Sequence, residues 1–166
     1  DIGSGFNLAT ANLNIDVALA DGIRLNLITY LSSRHHPETW VKGGYLQFDK
    51  LAFLNSTAFD KIMEKVTIKV GHMEVNYGDS HFRRSDNGNA FYNPFVGNYI
   101  MDAFATEIGA EVIYQNNGFI AVASMTGGEI QGGVTNPDKR KPSFIGKLGY
   151  DKTLDNELRL RLTGSV

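Results

Sequence analysis

Apolar and polar residues alternate one by one along several long stretches of this chain. In Ala9–Leu19 every second residue is apolar, and most residues between them are Asn, Asp or Thr. A period of two residues predicts a β-strand with one apolar and one polar face. The Asp21-Gly22 dipeptide that follows favours a hairpin turn. Ile23–Leu31 then returns with the same alternation, so the chain is expected to begin as a β-hairpin.

The same pattern recurs to the end of the chain and predicts eight antiparallel strands. They are expected at Ala9–Leu19, Ile23–Leu31, Trp40–Asp49, Val66–Gly78, Thr106–Tyr114, Phe119–Thr126, Phe144–Tyr150 and Glu157–Thr163. The period changes in Leu51–Lys65, where Phe59, Ile62 and Met63 fall on one helical face. Asn55 or Ser56 would cap a short amphipathic helix there. Residues 1–166 are thus expected to form a single all-β domain.

Composition excludes several classes of protein. The chain has no cysteine, so neither a disulfide framework nor a thiolate metal site is available. A net charge of −2 argues against a nucleic-acid partner. No run of 18 apolar residues is present to form a transmembrane helix, although a transmembrane barrel needs only short alternating strands. The first ten residues lack the features of a signal peptide, so either the protein is cytosolic or its start has been lost.

Alternation by itself fits a soluble sandwich, a soluble barrel and a membrane barrel equally well, but the lengths of the connections differ between these classes. Strand parity puts the turns at 20–22, 115–118 and 151–156, with the helical segment 50–65, at one end. The connections 32–39, 79–105 and 127–142 then lie at the other end. Short turns opposite long loops are typical of outer-membrane barrels. The prediction is therefore an antiparallel transmembrane β-barrel.

Strand parity also bears on the size of this barrel. It puts both chain ends on the long-loop side, whereas outer-membrane barrels normally keep both termini on the short-turn side. We therefore expect at least one further strand before residue 1 and another after Val166. Eight strands closed on themselves would fill their interior with side chains and leave no channel, which also indicates a fragment of a larger barrel.

Two consecutive segments resemble a known family. Lys69–Gly78 reads KVGHMEVNYG, and Phe82–Phe104 reads FRRSDNGNAFYNPFVGNYIMDAF, followed by GAEVIY and preceded at Gly43–Leu51 by GGYLQFDKL. These segments resemble outer-membrane porins of the porin O/P type and their Bacteroidetes relatives. The resemblance implies a diffusion channel in the bacterial outer membrane with a folded-in loop and no cofactor. It also implies a monomer or homotrimer, with accessory outer-membrane proteins as further candidate partners. The basic ladder of the phosphate-selective members has no matching positions here.

The charged residues fall into two candidate groups for a pore. A constriction would use the long 79–105 connection, whose length predicts a functional loop, with Asp79, Arg83, Arg84, Asp86 and Asp102. The wall would use charges on the polar faces of the strands, namely Asp16, Arg24, Lys69, Glu107, Glu111, Arg159 and Arg161. Opposed charges in a narrow lumen select solutes through their local field. The alternative for the loop is a solvated segment held by salt bridges.

Other candidate chemistry is weaker. His35 and His36 are adjacent on a loop without supporting carboxylates, which does not favour a metal site. His72, Glu74 and His81 would need a nucleophile and an oxyanion site to form an enzyme, and neither is found. Aromatic residues near strand ends fit either membrane girdles or ordinary packing, namely Tyr30, Trp40, Tyr77, Tyr114 and Tyr150.

Three functions are consistent with these patterns. The first is an outer-membrane porin in the lipid bilayer that passes small polar solutes or ions by passive diffusion. The second is an outer-membrane barrel with a blocked lumen, whose long loops bind a partner protein. The third is a soluble β-barrel or sandwich that acts as a binding module. None of the three requires catalysis, a metal or a cofactor.

Overall fold

The computed structural model describes residues 10–32, 39–79, 106–128, 141–154 and 158–166, in which the chain forms one antiparallel sheet. The strands are β1 (Thr10–Ala20), β2 (Ile23–Ser32), β3 (Thr39–Phe48), β4 (Val66–Glu74), β5 (Thr106–Asn116), β6 (Phe119–Thr126), β7 (Ser143–Thr153) and β8 (Arg159–Ser165). A 3₁₀ turn (Ala52–Leu54) and helix α1 (Thr57–Met63) lie between β3 and β4. The predictions of an all-β fold, of eight strands and of a short helix are confirmed.

The strands lie side by side in chain order, from β1 to β8. Because every neighbouring pair is antiparallel, successive connections leave the sheet at alternate ends. The turns after β1, β5 and β7 and the helical connection after β3 leave at one end, called here the short-turn end. Within the described residues β1 and β8 pair with one neighbour each, so the sheet is open at both edges.

Local chemistry explains the tightest turn. Asn117 and Gly118 join β5 to β6 with φ angles of 49° and 89°. Positive φ at both central residues matches the twist of the flanking strands, and Asn-Gly is the dipeptide that adopts it most readily. Gly22, in the turn between β1 and β2, has a φ of 73°. The predictions of hairpins at Asp-Gly and Asn-Gly are confirmed.

One predicted strand ends earlier in the structure, whereas the predicted helix begins where expected. The strand expected over Val66–Gly78 ends at Glu74, because the residues after it leave the sheet. The predicted short helix begins where expected: Asn55, with a left-handed φ of 46°, ends the 3₁₀ turn, and α1 starts at Thr57. Ser56 occupies the N-cap position of α1, as predicted, but makes no side-chain capping hydrogen bond.

Strand pairing keeps like residues on the same side across the sheet. Asp16 pairs with Asn26, Lys69 with Glu111, and Lys147 with Ser165. One side is therefore rich in polar and charged residues and is called here the polar face. Its charged members in the strands are Asp16, Arg24, Lys69, Glu107, Glu111, Lys147, Asp151, Arg159 and Arg161. The opposite side is called the aliphatic face, and it includes Leu13, Ile15, Val17, Val70, Ile108, Val112, Phe144, Leu148, Leu160 and Leu162.

In β5, β6 and β7 burial is reversed between the two faces relative to an ordinary soluble sheet, whereas residues 13–20 of β1 are exposed on both faces. Glu107, Glu111 and Lys147 on the polar face are only 2%, 3% and 3% exposed. Apolar side chains on the same face, including Val122 and Ile145, are buried among them. On the aliphatic face the large side chains are exposed, reaching 61% at Leu13, 73% at Phe144 and 63% at Leu162. Acidic and basic residues are rarely this buried unless they are paired, so their partners identify the site.

Candidate functional site

A short segment after β4 crosses the polar face. Val75–Asp79, called here the tether, leaves the end of β4 and reaches β7 and β8. Val75 is 3% exposed. The backbone N–H of Gly78 donates to Ser165 Oγ of β8 at 2.9 Å. Lys147 Nζ of β7 donates to Asn76 Oδ1 at 3.0 Å and to the carbonyl of Gly78 at 2.9 Å.

Asp79 at the end of the tether receives hydrogen bonds from both of these strands. Arg161 binds its carboxylate with two nitrogens, Nε at 2.8 Å and Nη2 at 3.0 Å. Lys147 Nζ lies 2.5 Å from Oδ1, and Thr163 Oγ1 donates to Oδ2 at 3.0 Å. The Arg161 guanidinium holds the pKa of Asp79 well below its usual range, with Lys147 and Thr163 acting in the same direction against partial burial. The tether is thus fixed by charge-assisted hydrogen bonds.

The basic residues of β8 are shared between two acids. Arg161 Nη1 also donates to Asp151 Oδ2 of β7 at 2.5 Å. Arg159 donates to the same carboxylate through Nε at 2.6 Å and Nη2 at 2.5 Å. Arg161 therefore links Asp79 on the tether to Asp151 on the sheet. This network brings basic side chains together on one part of the polar face.

The middle of the polar face is more acidic. Glu111 Oε2 accepts a hydrogen bond from Ser124 at 3.1 Å, and Glu107 Oε2 accepts one from the N–H of Gly128 at 3.0 Å. Glu107 Oε1 is buried and has no hydrogen-bond partner among the residues that the structure describes. Lys69, opposite Glu111 in the register, lies over the ring of Tyr45 with Nζ 5.4 Å from the ring centre. Such an ammonium is held in place by a cation–π contact and stays available to a solute.

A second ion-pair cluster lies toward the other edge of the sheet. Arg24 Nη2 donates to Asp49 at 2.5 Å, and Gln47 and Thr67 donate to the same carboxylate at 2.9 Å and 3.0 Å. Burial raises the pKa of Asp49, but the hydrogen bonds from Arg24, Gln47 and Thr67 outweigh it and lower the pKa overall. On β1, Asp16 accepts a hydrogen bond from Asn26 at 2.7 Å.

A cavity of about 250 Å³ opens where β3 and β4 diverge. The two strands pair only between Gly44–Phe48 and Ile68–His72, so the remainder of β3 is not paired with β4. Lys69, Tyr45 and Glu111 line the cavity, together with Met73. The charged residues Lys69 and Glu111 of the polar face thus border a cavity that apolar side chains also line.

Comparison of the chain with protein-family models, with curated proteins and with solved structures gives no match. No helix in the described parts of the chain is long and apolar enough to cross a membrane. An assignment of function therefore depends on the two faces of the sheet and on the contacts of the polar one.

The residues predicted from the sequence to line a wall all lie in strands of the polar face. Asp16, Arg24, Lys69, Glu107, Glu111, Arg159 and Arg161 share that side of the sheet. Their role in a pore stays a prediction. Of the predicted constriction residues, Asp79 lies on the tether, whereas Arg83, Arg84, Asp86 and Asp102 lie outside the described residues.

Sequence reasoning missed the most buried basic residue of the site. Lys147 contacts the tether at three points, and Asp151 joins both arginines of β8. Alternation in β7 already puts Lys147 opposite Phe144 and Leu148, on the side of the other charges. Alternation could therefore have shown on which face Lys147 lies. Its partner Asp79 is 68 residues away in the chain, so no local sequence pattern predicts their contact.

The histidines give no metal site in the parts of the chain that the structure describes. His72 Nε2 lies 2.8 Å from Thr106 Oγ1, and no group of three His, Cys, Asp or Glu residues suited to a metal occurs there. His35, His36 and His81 lie outside the described residues. The partnership of His72 with a hydroxyl is that of an ordinary hydrogen-bonded histidine.

Aromatic residues mark the short-turn end of the aliphatic face. The rings of Tyr114 and Phe119 meet edge to face, with centroids 6.3 Å apart. Tyr150 is the register partner of Phe119. Of the other predicted girdle residues, Tyr77 lies on the tether, and Tyr30 and Trp40 pair across β2 and β3. The described aromatic cluster thus consists of Tyr114, Phe119 and Tyr150.

Proposed function

We propose that this chain is part of an outer-membrane β-barrel that passes small hydrophilic solutes or ions by diffusion. The observation that carries the proposal is the reversal of the two faces. The polar face buries Glu107, Glu111 and Lys147, while the aliphatic face leaves its large side chains exposed. In a membrane barrel the aliphatic face contacts lipid and the polar face lines the lumen.

Strand length supports the same assignment. β1, β2 and β5 have 11, 10 and 11 residues. At about 3.3 Å per residue they extend roughly 33–36 Å. A tilt of about 40° reduces this to roughly 25–28 Å along the barrel axis, close to the ~25 Å apolar band of outer-membrane barrels. Soluble strands are usually about half as long.

A soluble sandwich accounts less well for the distribution of charge. Its charged side would face water, and its aliphatic side would meet a second layer. The described residues contain no second layer over the aliphatic face. In this sheet, by contrast, the polar face holds the buried ion pairs. A soluble protein would also need a further layer to pack on the aliphatic face.

The open edges are part of the proposal. Hydrocarbon cannot satisfy the backbone groups of an unpaired strand, so a membrane sheet must close into a barrel. β1 and β8 are not paired with each other in the described structure. We therefore include further strands next to β1 and β8, which would also make the barrel wide enough to enclose a channel.

The polar face favours a channel for hydrophilic solutes. It offers charges of both signs, with the basic cluster of Arg159 and Arg161 on β8 and the acidic pair Glu107 and Glu111 on β5. The tether narrows the space above this face. The resemblance of Lys69–Gly78 to porins of the O/P type points the same way.

The tether also favours a second candidate function. A segment held by Lys147, Arg161 and Ser165 across the polar face would obstruct a lumen as well as shape it. In that case the barrel would be structural, and its long loops would bind a partner protein. The two candidates differ in one measurable property, the passage of ions.

Single-channel recording of the full-length protein in a planar lipid bilayer tests the proposal. We expect ohmic conductance steps that scale with salt concentration. Silence of protein that is shown to be inserted would exclude the channel and favour the structural barrel. Protein that remains in the aqueous phase without detergent would exclude both membrane functions.

Two variants at neighbouring positions test whether the polar face lines the lumen. Lys69→Glu reverses a charge on the polar face, whereas Val70→Thr alters the next residue, which is 45% exposed on the aliphatic face. Under a salt gradient we expect Lys69→Glu to shift the reversal potential toward cation preference, because the added carboxylate attracts cations. Val70→Thr should leave it unchanged. An unchanged potential in Lys69→Glu channels would remove this residue from the pore.

A further inference from the structure

The connection between β3 and β4 carries apolar residues that the sheet does not use. Phe53 and Leu54 in the 3₁₀ turn are 64% and 43% exposed, and Phe59 and Ile62 in α1 are 46% and 54% exposed. These four side chains are called here the rim patch. They lie outside the strands, so the lipid-facing role proposed for the aliphatic face does not cover them. Large exposed apolar groups this close together mark an interaction surface.

The connection is fixed to the short-turn end of the sheet at both of its own ends. The N–H of Asp49 donates to the carbonyl of Gly22 at 2.7 Å, and Lys50 Nζ binds Asp21 at 2.6 Å. At the other end, the N–H of Gln115 donates to the carbonyl of Lys65 at 2.8 Å. The rim patch is therefore carried by a segment that is anchored to the rim.

The orientation of α1 follows from the burial of its residues. Met63 is 6% exposed and is the buried residue of the helix. Asp60, one turn earlier, is less exposed than its neighbours and shares that side. Phe59 and Ile62 are three residues apart and flank Met63 on one helical face, yet their own side chains are exposed. The sequence pattern puts Phe59, Ile62 and Met63 on one helical face, and of these three residues only Met63 is buried.

The surroundings of the rim patch are those of a membrane boundary. The short-turn end of the aliphatic face carries the aromatic cluster of Tyr114, Phe119 and Tyr150. Tyrosine and tryptophan concentrate at the level of lipid head groups. Lys61 in α1 and Lys65 just after it are exposed near these apolar side chains, and lysines in this position extend toward phosphates while their stems cover apolar surface.

We propose that the rim patch lies in the head-group region of the adjacent membrane leaflet and binds phospholipid directly. This inference rests on the proposed barrel, because it needs the aliphatic face to be in lipid. The connection is continuous with the aliphatic face, because it leaves β3 at Phe48 and enters β4 at Val66, which both lie on that face at the short-turn end. α1 would then act as an interfacial amphipathic helix.

The cysteine-free sequence allows a direct test by spin labelling. Single cysteines at positions 59 and 62, each carrying a nitroxide, would be compared in phospholipid vesicles with a label at position 61 on the same helix. A label at position 112, on the aliphatic face, serves as a lipid reference. Electron paramagnetic resonance then measures collisions with oxygen, which concentrates in lipid, and with a water-soluble nickel chelate.

We expect labels at 59 and 62 to collide several-fold more with oxygen relative to nickel than the label at 61, with values between those of 61 and 112. Strong nickel contact at 59 and 62, with 112 still in lipid, would overturn the inference and leave the barrel intact. Protection from both agents would overturn it in favour of a protein partner or a second copy of the chain. Nickel contact at 112 would refute the proposed barrel itself.

Discussion

The buried ammonium of Lys147 lies 2.5 Å from the carboxylate of Asp79, and the two residues are 68 positions apart in the chain. Lys147 is in β7, and Asp79 follows β4. Their contact therefore holds the beginning of a long connection over the polar face. Arg161 and Thr163 of β8 complete the attachment.

Asp79→Asn is expected to destabilise the fold. The amide removes the negative charge beside Lys147, which is only 3% exposed, and weakens the paired hydrogen bonds from Arg161. Asn76 and the carbonyl of Gly78 remain as acceptors for Lys147, so the loss is limited. Hydrogen bonds to charged groups contribute about 1.5–3 kcal/mol, and we expect a loss of about 2 kcal/mol. Denaturant unfolding in detergent micelles measures it.

Asp21→Asn is the matched control for this variant. Asp21 and Lys50 also form a short ion pair, at 2.6 Å, but their side chains are 74% and 43% exposed. Exposed pairs contribute at most about 1 kcal/mol because water and salt screen them. Equal losses in the two variants would show that the tether adds no more stability than a surface ion pair.

Acid should release the tether. Because the pKa of Asp79 is lower in the folded protein than the unfolded value of about 3.9, the folded state binds fewer protons at this group. Its contribution to the free energy of unfolding is complete above about pH 5 and is lost as the pH falls through the lower folded pKa. The difference in stability between wild type and Asp79→Asn should therefore shrink on acidification. A difference that stays constant down to about pH 2 would contradict this assignment.

Adjacent positions in β1 report which face meets lipid. Ile15 lies on the aliphatic face and Asn14 on the polar face, and both are exposed. We expect Ile15→Arg to cost about 2–4 kcal/mol in a bilayer, because a charge near the midplane is poorly solvated. Asn14→Arg should stay within about 0.5 kcal/mol, as for an ordinary exposed site. Equal costs, measured by unfolding from lipid vesicles, would contradict the lipid-facing assignment.

Gly71 is expected to tolerate no side chain. Its φ is 143°, and a Cβ atom there would lie 2.5 Å from the carbonyl oxygen of Gly44 and 2.7 Å from the Cα of Tyr45. Strand pairing with β3 and with β5 continues through Gly71. Gly71→Ala should cost roughly 1–3 kcal/mol through backbone strain.

Gly164→Ala provides the comparison for this glycine. A Cβ atom at Gly164 of β8 would meet no heavy atom within 4 Å. We expect Gly164→Ala to change the free energy of unfolding by no more than about 0.5 kcal/mol. A similar small effect for Gly71→Ala would show that β3 and β4 can separate at Gly44 without loss.

Much of the fold could be predicted from local pattern. The period of two residues identified the strands, and the dipeptides Asp21-Gly22 and Asn117-Gly118 identified two hairpins. Both signals act between near neighbours in the chain. Alternation also assigned Arg24, Lys69 and the other predicted wall residues to one side, because facing in a strand depends only on parity.

The end of β4 could not be predicted in this way. The pattern KVGHMEVNYG continues through Gly78, yet the strand stops at Glu74, because Gly78 and Asp79 bind side chains of β7 and β8. Those partners become neighbours only after the sheet has formed. Likewise, the helical period of Leu51–Lys65 does not reveal the left-handed conformation of Asn55.

The sequence alone therefore established the eight alternating strands, their antiparallel order and the separation of charged from aliphatic residues. Tertiary structure decided which of the two faces is buried, since parity sorts residues into faces without saying which face meets solvent. It also decided the partners of Lys147, Arg161 and Asp79, since charge pairing across strands depends on distances that folding creates. Alternation is a property of neighbouring residues, whereas burial and ion pairing are properties of the assembled sheet.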